Sequence, residues 1–169
     1  MPRFSAVPLL AVLLLAAAAV HADIRIGVIA SSTGPTAVVG IPQKNTVALL
    51  PAEIGGHKVE YIVLDDASDP TNAVTGVKKL LAEHKVDALI GPTTTPAALA
   101  ILDFVAEAKT PLVTTVGSSA VIQPLDDKKR WVFKTTQNDD LIAEAVLANM
   151  TAAGVKTVGK GGLGAIVER

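Results

Sequence analysis

VEYIVLDDASDPTNAVTGVKKLL, residues 59–81, is the stretch that decides the fold. Val59–Leu64 is rich in β-branched residues and predicts a strand, which ends in the acidic turn Asp65-Asp66-Ala67-Ser68. Asp69 then occupies a helix N-cap position, and Pro70 takes the first helical place, where a missing N–H costs nothing. Val74, Val77, Leu80 and Leu81 fall on one face of the helix that follows. Strand and helix therefore succeed each other directly. The same order recurs on both sides, which is the signature of a parallel sheet flanked by helices.

Upstream, Ile24–Ala30 predicts a first strand, and Gln43–Leu50 a helix with Pro42 at its first position and Pro51 as its stop. Downstream, Val86–Ile90 is a third strand ended by Gly91-Pro92. Thr95 is placed to cap a helix begun by Pro96, with Leu99, Leu102 and Val105 pointing inward. Leu112–Thr115 is a fourth strand, followed by the turn Gly117-Ser118-Ser119 and the mixed-charge stretch Asp126–Arg130, which suits a solvated loop. Trp131–Lys134 is a fifth strand, with Trp131 as a core anchor at its start. Asn138 or Asp139 caps a last helix running to Ala153, and Gly154 stands where helices stop. Val155–Val158 would begin another strand. The expected fold class is α/β, a doubly wound parallel sheet flanked by helices.

The chain has 169 residues and opens with Arg3 followed by an apolar run from Val7 to Val20. That run has the length of a signal-peptide core and is shorter than the roughly 20 residues of a spanning helix. Val20-His21-Ala22 puts small residues at the positions a signal peptidase reads, so residues 1–22 are expected to be a signal peptide cut before Asp23. The other use of such a run is an uncleaved membrane anchor. Cleavage of 22 from 169 residues leaves 147. Removing Arg3 with them leaves 14 basic against 16 acidic side chains, a net charge of −2. This balance argues against nucleic acid or an anionic membrane as the main partner. With no cysteine and only 3% aromatic residues, burial of Ala, Val, Leu and Ile must hold the fold.

In open α/β sheets ligands bind at the C-terminal ends of the strands, where loops and helix N-termini meet. Three such loops carry hydroxyls and glycines: Ser31-Ser32-Thr33-Gly34-Pro35, Thr93-Thr94-Thr95 and Gly117-Ser118-Ser119. Neutral donors at helix starts suit a carboxylate, which backbone N–H groups and hydroxyls hold without a buried cation. The same residue types are also ordinary turn and cap residues. Asp65, Asp66 and Asp69 lack the further oxygen ligands of a calcium loop and suit a solvated turn plus helix cap. His57 and His84 have no Cys or paired His at metal-ligand spacing, so surface positions are expected. Gly159, Gly161 and Gly164 match a dinucleotide fingerprint, and Gly154, Gly159 and Lys160 imitate a phosphate loop. The first lacks a following helix and acid; the second has Gly161 where Ser or Thr is required. No catalytic arrangement, cofactor or metal is expected.

Four runs in order, from Ile24 (IRIGVIASSTGPTAVVGIPQKNTVALLP), Val59 (VEYIVLDDASDPTNAVTGVKKL), Val86 (VDALIGPTTTPAALA) and Pro111 (PLVTTVGSSAVIQPLDDKKRWVFKTTQND), resemble the substrate-binding proteins of branched-chain amino acid ABC transporters. The resemblance covers Asp23 to about Gly159. It implies the type I periplasmic binding fold, in which an amino acid is caught between two α/β domains. Residues 23–135 would then be the first ligand-binding domain, incomplete here, and residues 136–169 a crossover and the start of a second. Carried over by position, Thr94 and Thr95 would hold the ligand carboxylate, while the Gly117 carbonyl and Ser119 would meet its ammonium group. The resemblance also implies a periplasmic monomer that delivers an amino acid or similar small carboxylate to an ABC transporter permease and meets the membrane only through it. A ligand-sensing receptor domain of the same fold and a non-functional truncated fragment are the alternatives. Family members run to more than twice this length, and Pro51 and Ile54-Gly55-Gly56 shorten the first helix. With only one side of the cleft, the chain as given is expected to bind free amino acids weakly or not at all.

Overall fold

The computed structural model describes residues 24–159 and 166–168. Strand β1 (Ile24–Ala30) is followed by α1 (Ala37–Val47), β2 (Glu53–Ile54), β3 (His57–Asp65), α2 (Pro70–Ala82), β4 (Ala88–Ile90), α3 (Thr95–Ala108) and β5 (Leu112–Thr114). Short 3-10 turns at Ser119–Val121 and Lys129–Trp131 lead to β6 (Val132–Lys134), then α4 (Asp139–Ala152), β7 (Thr157–Gly159) and β8 (Ile166–Glu168). The signal segment and its cut before Asp23 lie outside the described residues, as do Lys160, Gly161 and Gly164 of the glycine-rich tail.

Six strands form one sheet in the order β2-β3-β1-β4-β5-β6. All pairs are parallel except β2 with β3. β1 is central: Ile24–Ala30 matches Val59–Asp65 on one side, and Ile26–Val28 matches Ala88–Ile90 on the other. Chain order reverses across β1, so the sheet has its switch point between β1 and β4, where a crevice opens at the C-terminal edge. The antiparallel β2 is a two-residue hairpin turned by Gly55 (φ +60°) and Gly56 (φ +84°), the positive angles that such a tight turn requires. β7 and β8 form a separate antiparallel pair.

One face of the sheet is fully covered. Helices α2 and α3 bury Ala73, Val77, Leu80, Ala97, Ile101, Leu102 and Val105 against Ile29, Leu89, Leu112 and Val132. Val74, Leu81 and Trp131 pack at the margin of this cluster, so Trp131 is a core anchor at the sheet's edge. Leu99, expected inward, is 43% exposed, because the buried face of α3 is formed by Ala97, Ile101, Leu102 and Val105. The opposite face carries only α1, whose one fully buried residue is Gly40. A side chain there would strike the Ser31 carbonyl, so glycine lets the helix backbone lie on the end of β1.

Several boundaries differ from expectation for local physical reasons. α1 begins at Ala37, not Gln43, and Pro42 lies inside it on the exposed side. Its missing N–H removes one helical bond there, and the Pro42 carbonyl accepts from the Thr46 hydroxyl at 2.9 Å. Past Val47 the chain loosens into three-residue turns, Leu49 to Thr46 and Leu50 to Val47, before Pro51. α3 is preceded by Thr94 rather than capped by Thr95, and the Thr94 side chain makes no capping bond. α4 starts at Asp139 behind Asn138, and Gly154 (φ +72°) ends it as expected. Asp69 caps α2 by accepting from Thr71 and Asn72 N–H. Asp66 is not solvated: it is 1% exposed, drawn in by the end of β1.

Leu80 is fully buried between α2 and the sheet, whereas Leu49 is 84% exposed. Leu80→Ala should lower the unfolding free energy by about 3 kcal/mol. Leu49→Ala should change it by less than about 0.5 kcal/mol. Urea unfolding of both variants checks the pair, and equal losses would place the core elsewhere.

Candidate functional site

The C-terminal ends of β1, β3, β4 and β5 bring four loops together. Ser31, at the end of β1, is completely buried. Its N–H donates to the Thr93 hydroxyl at 2.9 Å, and its own hydroxyl donates to Asp66 Oδ1 at 2.6 Å. Asp66 Oδ1 also accepts from the Ser68 N–H at 3.0 Å. Ser68 Oγ in turn donates to the Thr33 carbonyl and accepts from the Thr36 N–H. A buried carboxylate thus fixes the loop before α1 against the turn before α2. The acidic run was legible as a turn, but the burial of Asp66 depends on Ser31, 35 residues away in sequence.

Asp65 faces outward and does a related job. Burial pushes its carboxyl upward, but the Ala67 N–H, the Thr33 hydroxyl and N–H and the Ser32 hydroxyl together outweigh it and hold the group down from 3.8 to about 2.

Thr94 and Thr95 sit at the start of α3, each half-buried. Neither hydroxyl bonds to another described residue, and no acid stands in the first turn of α3. Hydroxyls without a bond to another described residue, at the positive dipole end of a 14-residue helix, make a place suited to an anion. Because β4 and β5 are adjacent and parallel, with Leu89 opposite Leu112 and Ile90 opposite Val113, the loop Gly117-Ser118-Ser119 emerges on the same sheet edge.

That second loop meets the start of α4. The Gly117 carbonyl accepts from the Asp139 N–H at 3.0 Å, and a side chain at position 117 would strike the Asp139 carboxylate. Ser119 Oγ donates to Asp140 Oδ2 at 3.3 Å. A carbonyl with a spare lone pair, a hydroxyl and two carboxylates form a place suited to a cation. Asp139 and Asp140 were legible in sequence only as a helix start; their company depends on β6 returning beside β5. Thr136 secures that return by donating to the Val116 carbonyl at 2.8 Å.

Beside this edge, a cavity of about 280 Å³ lies between α1 and the sheet, lined by Val28, Val47, Leu50, Ile90, Val113 and the polar Gln43 among others. None of Thr94, Thr95, Gly117 and Ser119 lines it. A larger groove of about 640 Å³ runs along α4 past Leu141, Ile142, Val146 and Met150. Leu141 and Leu147 are 59% and 60% exposed, so the apolar side of α4 has no cover among the described residues. No described helix is long and apolar enough to cross a membrane.

The model of the periplasmic binding protein family matches residues 23–160. The Leu/Ile/Val-binding protein BraC3 of Rhizobium johnstonii is 31% identical over 137 residues, covering 76% of this chain and 37% of that protein. An extracellular ligand-binding receptor of Rhodopseudomonas palustris HaA2 superposes with a TM-score of 0.78 at 49% identity, over 80% of this chain and 37% of its own. A solute-binding protein of an R. palustris ABC transporter, solved with 4-hydroxybenzoate, superposes at 0.69 with 27% identity, over 79% and 37%. The chain thus spans less than two fifths of the relatives it matches.

The depressed Asp65 carboxyl predicts a pH effect. Below its ordinary value it gains a proton more readily in the unfolded chain than in the folded one, so its contribution to stability is complete above about pH 4 and fades as pH falls through about 2. Carbon-detected NMR titration of Asp65 should give a midpoint near 2, with the Thr33 amide moving in step. A midpoint near 4 would break the link between the two loops.

Proposed function

This chain belongs to the periplasmic binding protein family, and from that premise we propose that it supplies one wall of a cleft that captures a small carboxylate bearing an ammonium group, a free amino acid. The supporting observation is the pairing of two unlike ends on one sheet edge. The Thr94 and Thr95 hydroxyls, unbonded among the described residues, stand at the start of α3, and the Gly117 carbonyl and Ser119 stand beside Asp139 and Asp140. In this proposal the first pair holds the carboxylate and the second pair the ammonium, with Asp139 supplying countercharge.

Residues 23–135 form the first ligand-binding domain and residues 136–169 the crossover into a second, whose sheet covers the apolar side of α4. The protein is exported by a cleaved signal peptide, acts in the periplasm as a monomer, and delivers its ligand to an ABC transporter permease without catalysing a reaction. A ligand-sensing receptor domain would use the same edge. An aromatic carboxylate is the second candidate ligand, favoured by the similarity to a protein solved with 4-hydroxybenzoate. The carboxylate end serves both ligands, and the acids of α4 favour only the amino acid.

One wall leaves the far side of the ligand in water, so residues 23–169 alone should bind leucine only at millimolar concentration. In 15N-labelled protein, leucine should shift the amides of Thr94, Thr95, Gly117 and Ser119. Asp139→Asn should weaken leucine by about tenfold and leave 4-hydroxybenzoate unchanged. Micromolar affinity by calorimetry would contradict the single wall, and shifts confined to α1 would contradict the site.

A further inference from the structure

The Gln43 side chain bonds both to Thr93, beside Thr94 and Thr95, and to Thr115, two residues before Gly117. It projects from α1 toward the sheet, half-buried, at a position where sequence predicts nothing beyond a helix start. Its Oε1 accepts from the Thr93 hydroxyl at 2.7 Å, and its Nε2 donates to Thr115 Oγ1 at 3.1 Å. The bonds continue at both ends. The Ser31 N–H donates to Thr93 Oγ1 at 2.9 Å, and the Thr115 hydroxyl donates to the Pro92 carbonyl at 3.1 Å.

Every hydroxyl in this chain of bonds accepts one proton and gives one, all in the same direction. The amide of Gln43 fits because it is an acceptor at one end and a donor at the other. A glutamate at 43 could only accept, so Thr115 would have to choose between it and the Pro92 carbonyl. Each bond also polarises the next, so loss at one point is felt along the series. Thr93 immediately precedes Thr94 and Thr95, and Thr115 lies two residues before Gly117.

We propose that Gln43 is a positioning residue that sets the separation of the Thr94-Thr95 loop from the Gly117-Ser119 loop, and so the match to a ligand with two charged ends. Gln43 touches neither end of the ligand; it acts through Thr93 and Thr115. This inference rests on the ligand-binding role given to the two loops, but the bonding itself can be tested without any ligand.

The test compares 15N-labelled residues 23–169 carrying Gln43→Met, Thr115→Val or Thr115→Ser, and a double variant that combines Gln43→Met with Thr115→Val. Methionine has nearly the same volume and shape, so it removes the bonds without opening a hole. Gln43→Met should shift the amides of Ser31, Thr94, Thr95, Gly117 and Ser119 while leaving Val77 and Ile101, in the α2–α3 core, in place. Thr115→Val should reproduce the shifts in the second loop, Thr115→Ser should restore the native spectrum, and the double variant should add little to Gln43→Met. Shifts confined to one loop, or strict additivity, would overturn the proposal. Leucine and 4-methylpentanoate, which lacks the ammonium, form a second arm. Gln43→Met should reduce the preference for leucine by roughly fivefold and change 4-methylpentanoate binding less than twofold; equal weakening of both would also overturn it. If the unaltered chain binds neither probe, the ligand-binding role of the loops fails and the amide shifts alone decide the bonding.

Discussion

The parallel pairing of β1 on both sides is the constraint from which the rest follows. Its seven residues match β3 along their whole length, and β4 takes the other edge over Ile26–Val28. With both neighbours parallel, the loops after β1, β3 and β4 must all leave at one edge, and β5 adds a fourth. Hydroxyls and N–H groups that are far apart in sequence are thereby collected without any one segment encoding a site. Ser31 marks the convergence: buried completely, it bonds to the loop after β4 through its N–H and to the turn after β3 through its hydroxyl. A polar residue in such a place is stable because each of these groups has a partner.

The two faces of the sheet are in different energetic states. On the face under α2 and α3, leucines, valines and small alanines pack to near-zero exposure. The other face has one helix, an open cavity beneath it and Phe133 at 56% exposure. α4 likewise presents Leu141, Ile142, Val146 and Leu147 outward. The family relatives are more than twice as long as this chain, and these uncovered apolar surfaces lie on the elements outside the finished core.

The fold was legible because its signals are local and repeated: β-branched runs, an acidic or hydroxyl-rich turn, then a Pro-initiated helix with an apolar stripe. Asp69 before Pro70 was enough to place α2 correctly. Where a local signal misled, tertiary contact had overruled it. Pro42 reads as a helix start, yet α1 begins five residues earlier because Gly40 can lie on Ser31. Thr95 reads as a cap, yet Thr94 takes that place. Of the candidate site, the loops were legible from their hydroxyls and their place after strands, and the separate roles of Thr94, Thr95, Gly117 and Ser119 came from resemblance to a family. Asp66, Gln43, Asp139 and Asp140 were not legible as members, since their partners lie 21 to 72 residues away and only the strand order brings them together.

The proposed seat of the ligand is the sheet edge between the starts of α3 and α4, not the apolar cavity beneath α1. A crystal structure of residues 23–169 grown with saturating leucine tests it directly. Carboxylate oxygens are expected within hydrogen-bond distance of the Thr94 and Thr95 hydroxyls, and the ammonium nitrogen beside the Gly117 carbonyl and the Asp139 carboxylate. Leucine seated among Val28, Val47, Leu50 and Val113, with Thr94 and Thr95 untouched, would contradict it.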